Sequence, residues 1–366
     1  MLNPNYKIIL GRKFIDTTDE PKASNVTDLS VSLDMDTPAD SVILHLGNIG
    51  GLQATENDEI KVELGYENDD DLTQVMVGAV VAIAPQLTTT QVISHSTAAT
   101  LLRTFVDQTY ENKTAGDIVR DLVDRASGGG NASDSVTAIG NTVAGAITGS
   151  PGRTLLEVDT AEDGITFPAY VIDSRRSVHH HMRDLADLCG FDLYINADGK
   201  LVFQRFTNGN TVHVFEYAKH ILHLEISQEQ PRASQVQVWG ESPGGSRGGE
   251  AWAWLTKDFS SSKREAEVDR STSGSVGGPI ILLERSPLRT AEAARTAAEA
   301  LATHIQRRTL QGKLLVLGNP QVKLGDALRL EAVPNDDLNQ TYQVRGVTHR
   351  LTKQAGFTTT ILFRSL

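Results

Sequence analysis

The sequence predicts a mainly β protein with an α+β insertion, built from two related β modules near the chain ends and a helical and hairpin region between them. Three observations lead there. Period-two alternation of apolar and polar residues dominates residues 5–90 and returns over 313–366. Helical periodicity is confined to the middle of the chain and to one Ala-rich stretch near 290–308. One segment also recurs. Asp58, Glu63 and Gly78 in DEIKVELGYENDDDLTQVMVGAVV are spaced as Asp326, Glu331 and Gly346 in DALRLEAVPNDDLNQTYQVRGVTH, and Ile60/Leu328 and Val62/Leu330 match in kind.

The elements follow in order. Tyr6–Leu10 reads as a short strand. Val26–Met35 alternates, with Leu29, Val31, Leu33 and Met35 on one face. Ser41–Leu46, Glu59–Tyr66 and Val75–Ile83 are further strands, the last two joined by the acidic turn Glu67–Asp71. Thr114, with Asp117 three residues on, caps a helix whose stripe is Ile118, Val119, Leu122, Val123 and Ala126. Residues 127–153 are rich in Gly, Ser, Ala and Thr and read as a mobile loop. A second helix spans about 177–189, capped by Ser177, burying Met182, Leu185, Ala186 and Cys189, and stopped by Gly190. Phe191, Leu193 and Ile195 then form a hairpin with Leu201 and Phe203 around Asp198-Gly199. After a turn at Asn208-Gly209 comes the strand Val212–Phe215, with two more strands in 221–239. Thr290 caps the Ala-rich helix, which runs to about Arg308 with Ala294, Ala297, Ala298, Leu301 and Ile305 on one side. The expected domains are 1–94, the first β module; 95–206, an α/β insertion carrying the loop 127–153; and 207–257 with 309–366, the second module. Residues 258–308, a polar loop and the Ala-rich helix, are inserted in that second module.

Composition narrows the function classes. Of the 366 residues, 39% are hydrophobic and 22% charged, as in folded domains. A net charge of −12 argues against nucleic-acid binding and against anionic membranes, both of which reward Lys/Arg clusters. No apolar run approaches the ~18 residues of a membrane helix, so stable membrane insertion is not expected. The first residues lack a signal pattern, which points to folding in a cytoplasm. Cys189 is the one cysteine, which excludes an intrachain disulfide and a Cys-based metal cluster.

Several constellations invite a chemical reading and fail it. Gly244-Gly245-Ser246-Arg247-Gly248 matches the nucleophile-elbow pattern, but an extended-looking segment follows where a helix is required. His179-His180-His181 opens a helix, where consecutive residues diverge by about 100°, so the triplet reads as a surface helix start. His220 and His223 lie three apart on a strand, on opposite faces. The acidic turns 67–71 and 335–337 lack the spacing of a calcium loop. Asp58 and Asp326, as a repeated pair, read as architectural. Trp252 and Trp254 suit either a partner anchor or the core of the second module. No residue is therefore assigned a catalytic, cofactor-binding or metal-ligating role, no cofactor is expected, and the chain is read as a non-enzyme.

Four segments resemble the phage late control D family, the tail-hub proteins of contractile tails and injection systems, kin to the hub half of VgrG proteins. They are Thr114-Ala115-Gly116-Asp117-Ile118-Val119; Met182–Ala186 running to Cys189–Tyr194; Gln235–Gly240; and the close of the chain, from Gly318-Asn319-Pro320 through Tyr342-Gln343-Val344 to Gly356–Thr360. The resemblance spans nearly the whole chain. It implies a homotrimeric baseplate hub with two tube-like β-barrels per chain, hence six per ring, adapting a hexameric inner tube to a trimeric spike. The implied partners are the inner tube protein, the spike protein and other baseplate proteins. Assembly in the cytoplasm and then residence in a phage tail or injection particle are implied. The sequence stops at Leu366, just after the second module, so the spike is expected to be a separate protein. Two alternatives come from other classes. A tail-associated cell-wall hydrolase needs paired carboxylates or a metal centre in a cleft. A carbohydrate-binding β protein predicts exposed aromatics.

Overall fold

Alternation builds the N-terminal strands: β1 (Pro4–Leu10), β2 (Lys13–Asp16), β3 (Val26–Asp34), β4 (Ser41–Gly47), β5 (Glu59–Tyr66), β6 (Thr73–Pro85) and β7 (Thr89–Ser96). Ile8 and Leu10, Leu29 and Val31, Val42 and Leu44, and Ile60 and Val62 all point inward, as a period of two requires, and are fully buried. The computed structural model describes residues 3–18, 24–47, 54–67, 72–128, 156–207, 211–240, 264–267 and 279–366. The expected mobile loop beyond Gly128, the nucleophile-like motif at 244–248, Trp252 and Trp254, the Asn208-Gly209 turn and most of the acidic turn 67–71 lie outside those residues.

The middle of the chain holds α1 (Ala98–Arg103), β8 (Gln108–Thr114), α2 (Ala115–Ala126), β9 (Val158–Ala161), β10 (Thr166–Ile172), α3 (Val178–Cys189), β11 (Asp192–Ile195) and β12 (Leu201–Gln204). The Thr114 hydroxyl accepts the Asp117 N–H at 3.0 Å and caps α2 as expected. Gly190 ends α3 in the left-handed region, at φ 69°. β8 pairs with β10, and β12 lies between β11 and a parallel β9. Then come β13 (Val212–Glu216), β14 (Ile221–Gln228), β15 (Gln235–Gly240), β16 (Arg264–Glu267), β17 (Ile280–Arg285), α4 (Ala291–Arg307), β18 (Leu310–Leu317), β19 (Ala327–Glu331), β20 (Thr341–Thr352) and β21 (Gly356–Ser365). Thr290 caps α4 by accepting the Ala293 N–H at 3.1 Å.

Two cores divide these elements. One lies inside a curled, thirteen-stranded sheet made from both chain ends. The other gathers α1, α2, α3 and α4 with the small sheets. The expected placing of 207–257 in the second module needs correction here. β13 and β14 join the large sheet, but β15 pairs with β16 and β17 and buries Val236 and Val238 in the helical core. Part of the stretch expected as a polar loop, Arg264–Glu267, is a strand.

The internal repeat is a repeat of structure. In the first module the strand order is β5-β6-β7-β4-β3, and in the second it is β19-β20-β21-β18-β14. Each copy carries a bulge at the same place, between Val80 and Ala82 in β6 and between Val344 and Gly346 in β20. The repeated aspartates are equivalent. Asp58 Oδ2 accepts the Thr55 N–H at 2.7 Å and Asp326 Oδ2 accepts the Lys323 N–H at 2.9 Å, and the two main-chain carbonyls accept from Val80 and Val344. The repeated glycines are not equivalent. Gly78 lies opposite Ile60, whereas Tyr342, not Gly346, lies opposite Leu328. The returning strand of the second copy is displaced by four residues from the sequence match. β19 stops at Glu331 and the 3₁₀ turn Asp336–Leu338 makes a different connection.

Candidate functional site

With no chemical centre expected, the functional surfaces of interest are the sheet edges and the joint between the two modules. The joint is antiparallel pairing of β3 with β20, Asp28–Asp34 against Gly346–Thr352. Leu29 faces Leu351, Val31 faces His349 and Leu33 faces Val347, all buried. Apolar pairs directly across a ladder each add a few tenths of a kcal/mol to about 1 kcal/mol beyond the backbone bonds. At one end of the joint, Arg345 reaches Asp36 at 3.0 Å and also contacts Asp192 on β11, while Arg364 reaches Asp36 at 2.5 Å. Gln343 Nε2 donates to Asp192 Oδ2 at 2.5 Å. This network ties both modules to the helical region. Burial works against charge on Asp36, but Arg345 and Arg364 outweigh it and hold its carboxyl below the ordinary range.

The sheet has open ends among the described residues. β14 pairs with β18 on one side and with no strand on the other, and β2 pairs with β1 alone. Beyond Ala79, β6 pairs with β7 and has left β5. Large apolar side chains mark these places. Phe14 on β2 is 65% exposed, Leu222 on β14 56%, and Leu87, just past β6, 96%. Exposed strand edges of this kind are aggregation liabilities unless a partner covers them.

The sequence candidates resolve as follows. His220 Nδ1 accepts the Glu216 N–H at 3.1 Å, and His223 pairs with Glu225 at 2.8 Å on the surface. Neither pair converges on a site, and among the described residues no cluster of His, Cys, Asp or Glu has the arrangement to hold a metal ion. The reading of His179–His181 as a surface helix start is corrected. His179 and His181 are buried, because this turn of α3 packs inward, and His179 lines a small cavity together with Ala98, Leu101 and Leu193. His181 Nε2 lies 3.0 Å from the Asp173 carbonyl, and His180 Nδ1 lies 2.8 Å from Ser177 Oγ. Cys189 is buried, and burial pushes its thiol up to about 11. A cavity of about 630 Å³ between α3, α4 and the joint is lined by seven arginines, among them Arg205, Arg307 and Arg308, and by five carboxylates. Its chemistry suits holding an anion, not a paired-acid reaction.

Burial of titratable groups makes stability depend on pH. Burial holds the His349 imidazole down to about 3, and burial with the charges of Arg183 and His180 holds His179 down to about 4. Both are neutral when folded and take up protons on unfolding below about 6.5, so their stabilising effect fades as pH falls. Asp40 opposes them. Burial raises its carboxyl to about 7, so its contribution is complete below 3.8 and is lost as pH rises toward 7. His304 on α4 is likewise held down to about 4, by burial and the charges of Arg308 and Arg364. Three histidines against one aspartate leave about two net protons, a loss on the order of 2.7 kcal/mol per pH unit between pH 6.5 and 4.5. Urea unfolding across that range measures it. Asp40→Asn keeps the carbonyl that accepts the Asp34 N–H but cannot titrate, and should steepen the slope by about half. An unchanged slope would contradict the assignment.

No protein-family model matches the chain, and no curated protein matches it. Solved structures do. The 43 kDa tail protein of prophage MuSo2 from Shewanella oneidensis superposes with a TM-score of 0.69 at 13% identity, covering 99% of this chain and 98% of that one. The tail protein from Neisseria meningitidis MC58 gives 0.66 at 12% identity, with 99% and 97% covered. A chain of the Francisella PdpA-VgrG complex gives 0.55 at 8% identity, covering 100% of this chain and 58% of that one. The chain therefore has the fold of phage tail proteins and VgrG-type hubs. Among the described residues, no helix is long and apolar enough to cross a membrane.

Proposed function

We propose that the protein is a structural, non-enzymatic component of a phage-tail or contractile-injection baseplate. It assembles as a homotrimeric hub that adapts a hexameric inner tube to a trimeric spike. The observation that carries this reading is the pair of equivalent modules within one sheet. Two modules per chain and three chains give six similar units on one face and a three-fold axis on the other. A sheet whose two ends differ closes by head-to-tail contacts, and such contacts generate rings. The tail and hub folds described above support the same reading. The division near 94/95 and 206/207 is part of this reading, with β7 kept whole to Ser96 in the first module and the insertion standing outside the ring. Assembly in the cytoplasm precedes incorporation into the particle.

Pull-down against the inner-tube protein and the spike protein of the same particle tests the role. Capture of both is expected, and capture of neither overturns it. The hydrolase alternative predicts soluble fragments released from peptidoglycan, and none is expected.

A further inference from the structure

The arginine-lined cavity between α3, α4 and the joint has a charge balance opposite to that of the chain. The protein carries a net charge of −12, yet the cavity's seven arginines outnumber its five carboxylates by two. The pairing is more lopsided than the count. Arg345 and Arg364 share Asp36, and Arg345 and Gln343 share Asp192. Asp184 is taken at 2.5 Å by Arg176, which does not line the cavity. That leaves Asp187 and Glu299. The other five arginines form no ion pair among the described residues. Arg183 donates to the Met35 carbonyl, and Arg205, Arg285, Arg307 and Arg308 hold no carboxylate.

These side chains converge from separate elements. Arg205 follows β12, Arg285 closes β17, Arg307 ends α4 and Arg308 is its C-cap. Aromatic rings support two of them, with the Arg205 guanidinium 5.9 Å from the Phe191 ring centre and that of Arg307 5.8 Å from Phe206. The Nε atoms of Arg307 and Arg345 are shut from solvent and have no hydrogen-bond partner among the described residues. Buried donors left unpaired are uncommon and call for an explanation. The charges also act on one another. Burial and the charges of Arg345 and Arg205 lower Arg307 against the pull of Asp192, while Arg183, Arg285 and Arg308 all act on Asp187. The cavity therefore has two cationic sides.

We propose that this cavity binds a small polyanion, a molecule with two or more phosphate or carboxylate groups, held between the Arg205–Arg307 side and the Arg285–Arg308 side. Its volume of about 630 Å³ lies within the usual range for small-molecule sites, and a single phosphate would leave most of it unfilled. Arginine suits such oxyanions better than lysine, because its planar fork donates two parallel bonds. A ligand there bridges the end of α4 to Arg345 and Arg364 on β20 and β21, and so holds the helical region against the large sheet.

Calorimetric titration of the full chain with sodium tripolyphosphate and, separately, with citrate, both at fixed ionic strength, tests the site. Saturable binding of one ligand per chain is expected, together with a raised unfolding temperature. Arg205→Gln and Arg308→Gln break no ion pair, so the free variants should keep near-native stability. Each should weaken binding by about tenfold or more. Arg103→Gln, outside the cavity, should leave binding unchanged. Tighter binding of tripolyphosphate assigns phosphate groups to the ligand, and tighter binding of citrate assigns carboxylates. Failure of both to saturate overturns the proposal, as does binding that Arg205→Gln and Arg308→Gln leave intact. A hexaglutamate peptide that binds more tightly than either would also overturn it, by making the cavity the seat of an acidic protein segment.

Discussion

Arg345→Met is expected to destabilise the protein by about 3–5 kcal/mol, because it leaves the buried Asp192 carboxylate without its guanidinium partner. Both side chains are nearly excluded from water, Arg345 at 9% exposure and Asp192 at 8%. Gln343 would remain on Asp192 and Arg364 on Asp36, but one amide does not replace a cation. Burial alone would weaken the charge on Arg345, and Asp192 and Asp36 more than compensate, holding its proton more firmly than usual. The double variant Arg345→Met/Asp192→Leu removes the stranded charge along with the pair. It should lose at least about 1 kcal/mol less than the two single losses added together. Urea unfolding of the three variants measures this. A single loss under 1 kcal/mol would mean that water reaches the network.

Gly78→Ala should cost about 3 kcal/mol, and Gly346→Ala well under 1 kcal/mol, although the two glycines match in sequence. A Cβ on Gly78 would lie 2.2 Å from the His95 carbonyl oxygen on β7, a main-chain atom that yields only if the sheet opens. A Cβ on Gly346 would first meet the end of the Leu362 side chain at 3.1 Å, which can turn aside. Equal losses at the two sites, read from thermal or urea unfolding, would contradict the four-residue displacement between the copies.

That contrast shows where sequence reading succeeds and where it stops. The strands of the first module were legible because one face of each is buried, and burial imposes alternation on Val26–Asp34 or Glu59–Tyr66 residue by residue. The caps at Thr114 and Thr290 were legible for a similar reason, since the signal is confined to four residues. β8, β9 and β10 were missed. They are short, and β8 exposes Glu111, Asn112 and Lys113, so they carry little alternation. The histidines at 179 and 181 read as surface residues because their burial is set by partners distant in sequence or outside the helix, the α1 residues Ala98 and Leu101 that line a cavity with His179 and the Asp173 carbonyl beside His181.

The joint between modules was invisible for a different reason. Ser32 and Thr348 meet at 3.3 Å across 316 residues of chain, and no local pattern announces such a contact. The repeat was legible in its aspartates, whose carboxylates and carbonyls hold the same bonds in both copies. Its glycines matched without sharing a structural position.

The most direct test of the hub is absolute mass in solution, by light scattering on a size-exclusion column across a dilution series. A trimeric ring requires a species of three times the 39.6 kDa chain mass that persists on dilution. A chain that stays at 39.6 kDa at every concentration would contradict it.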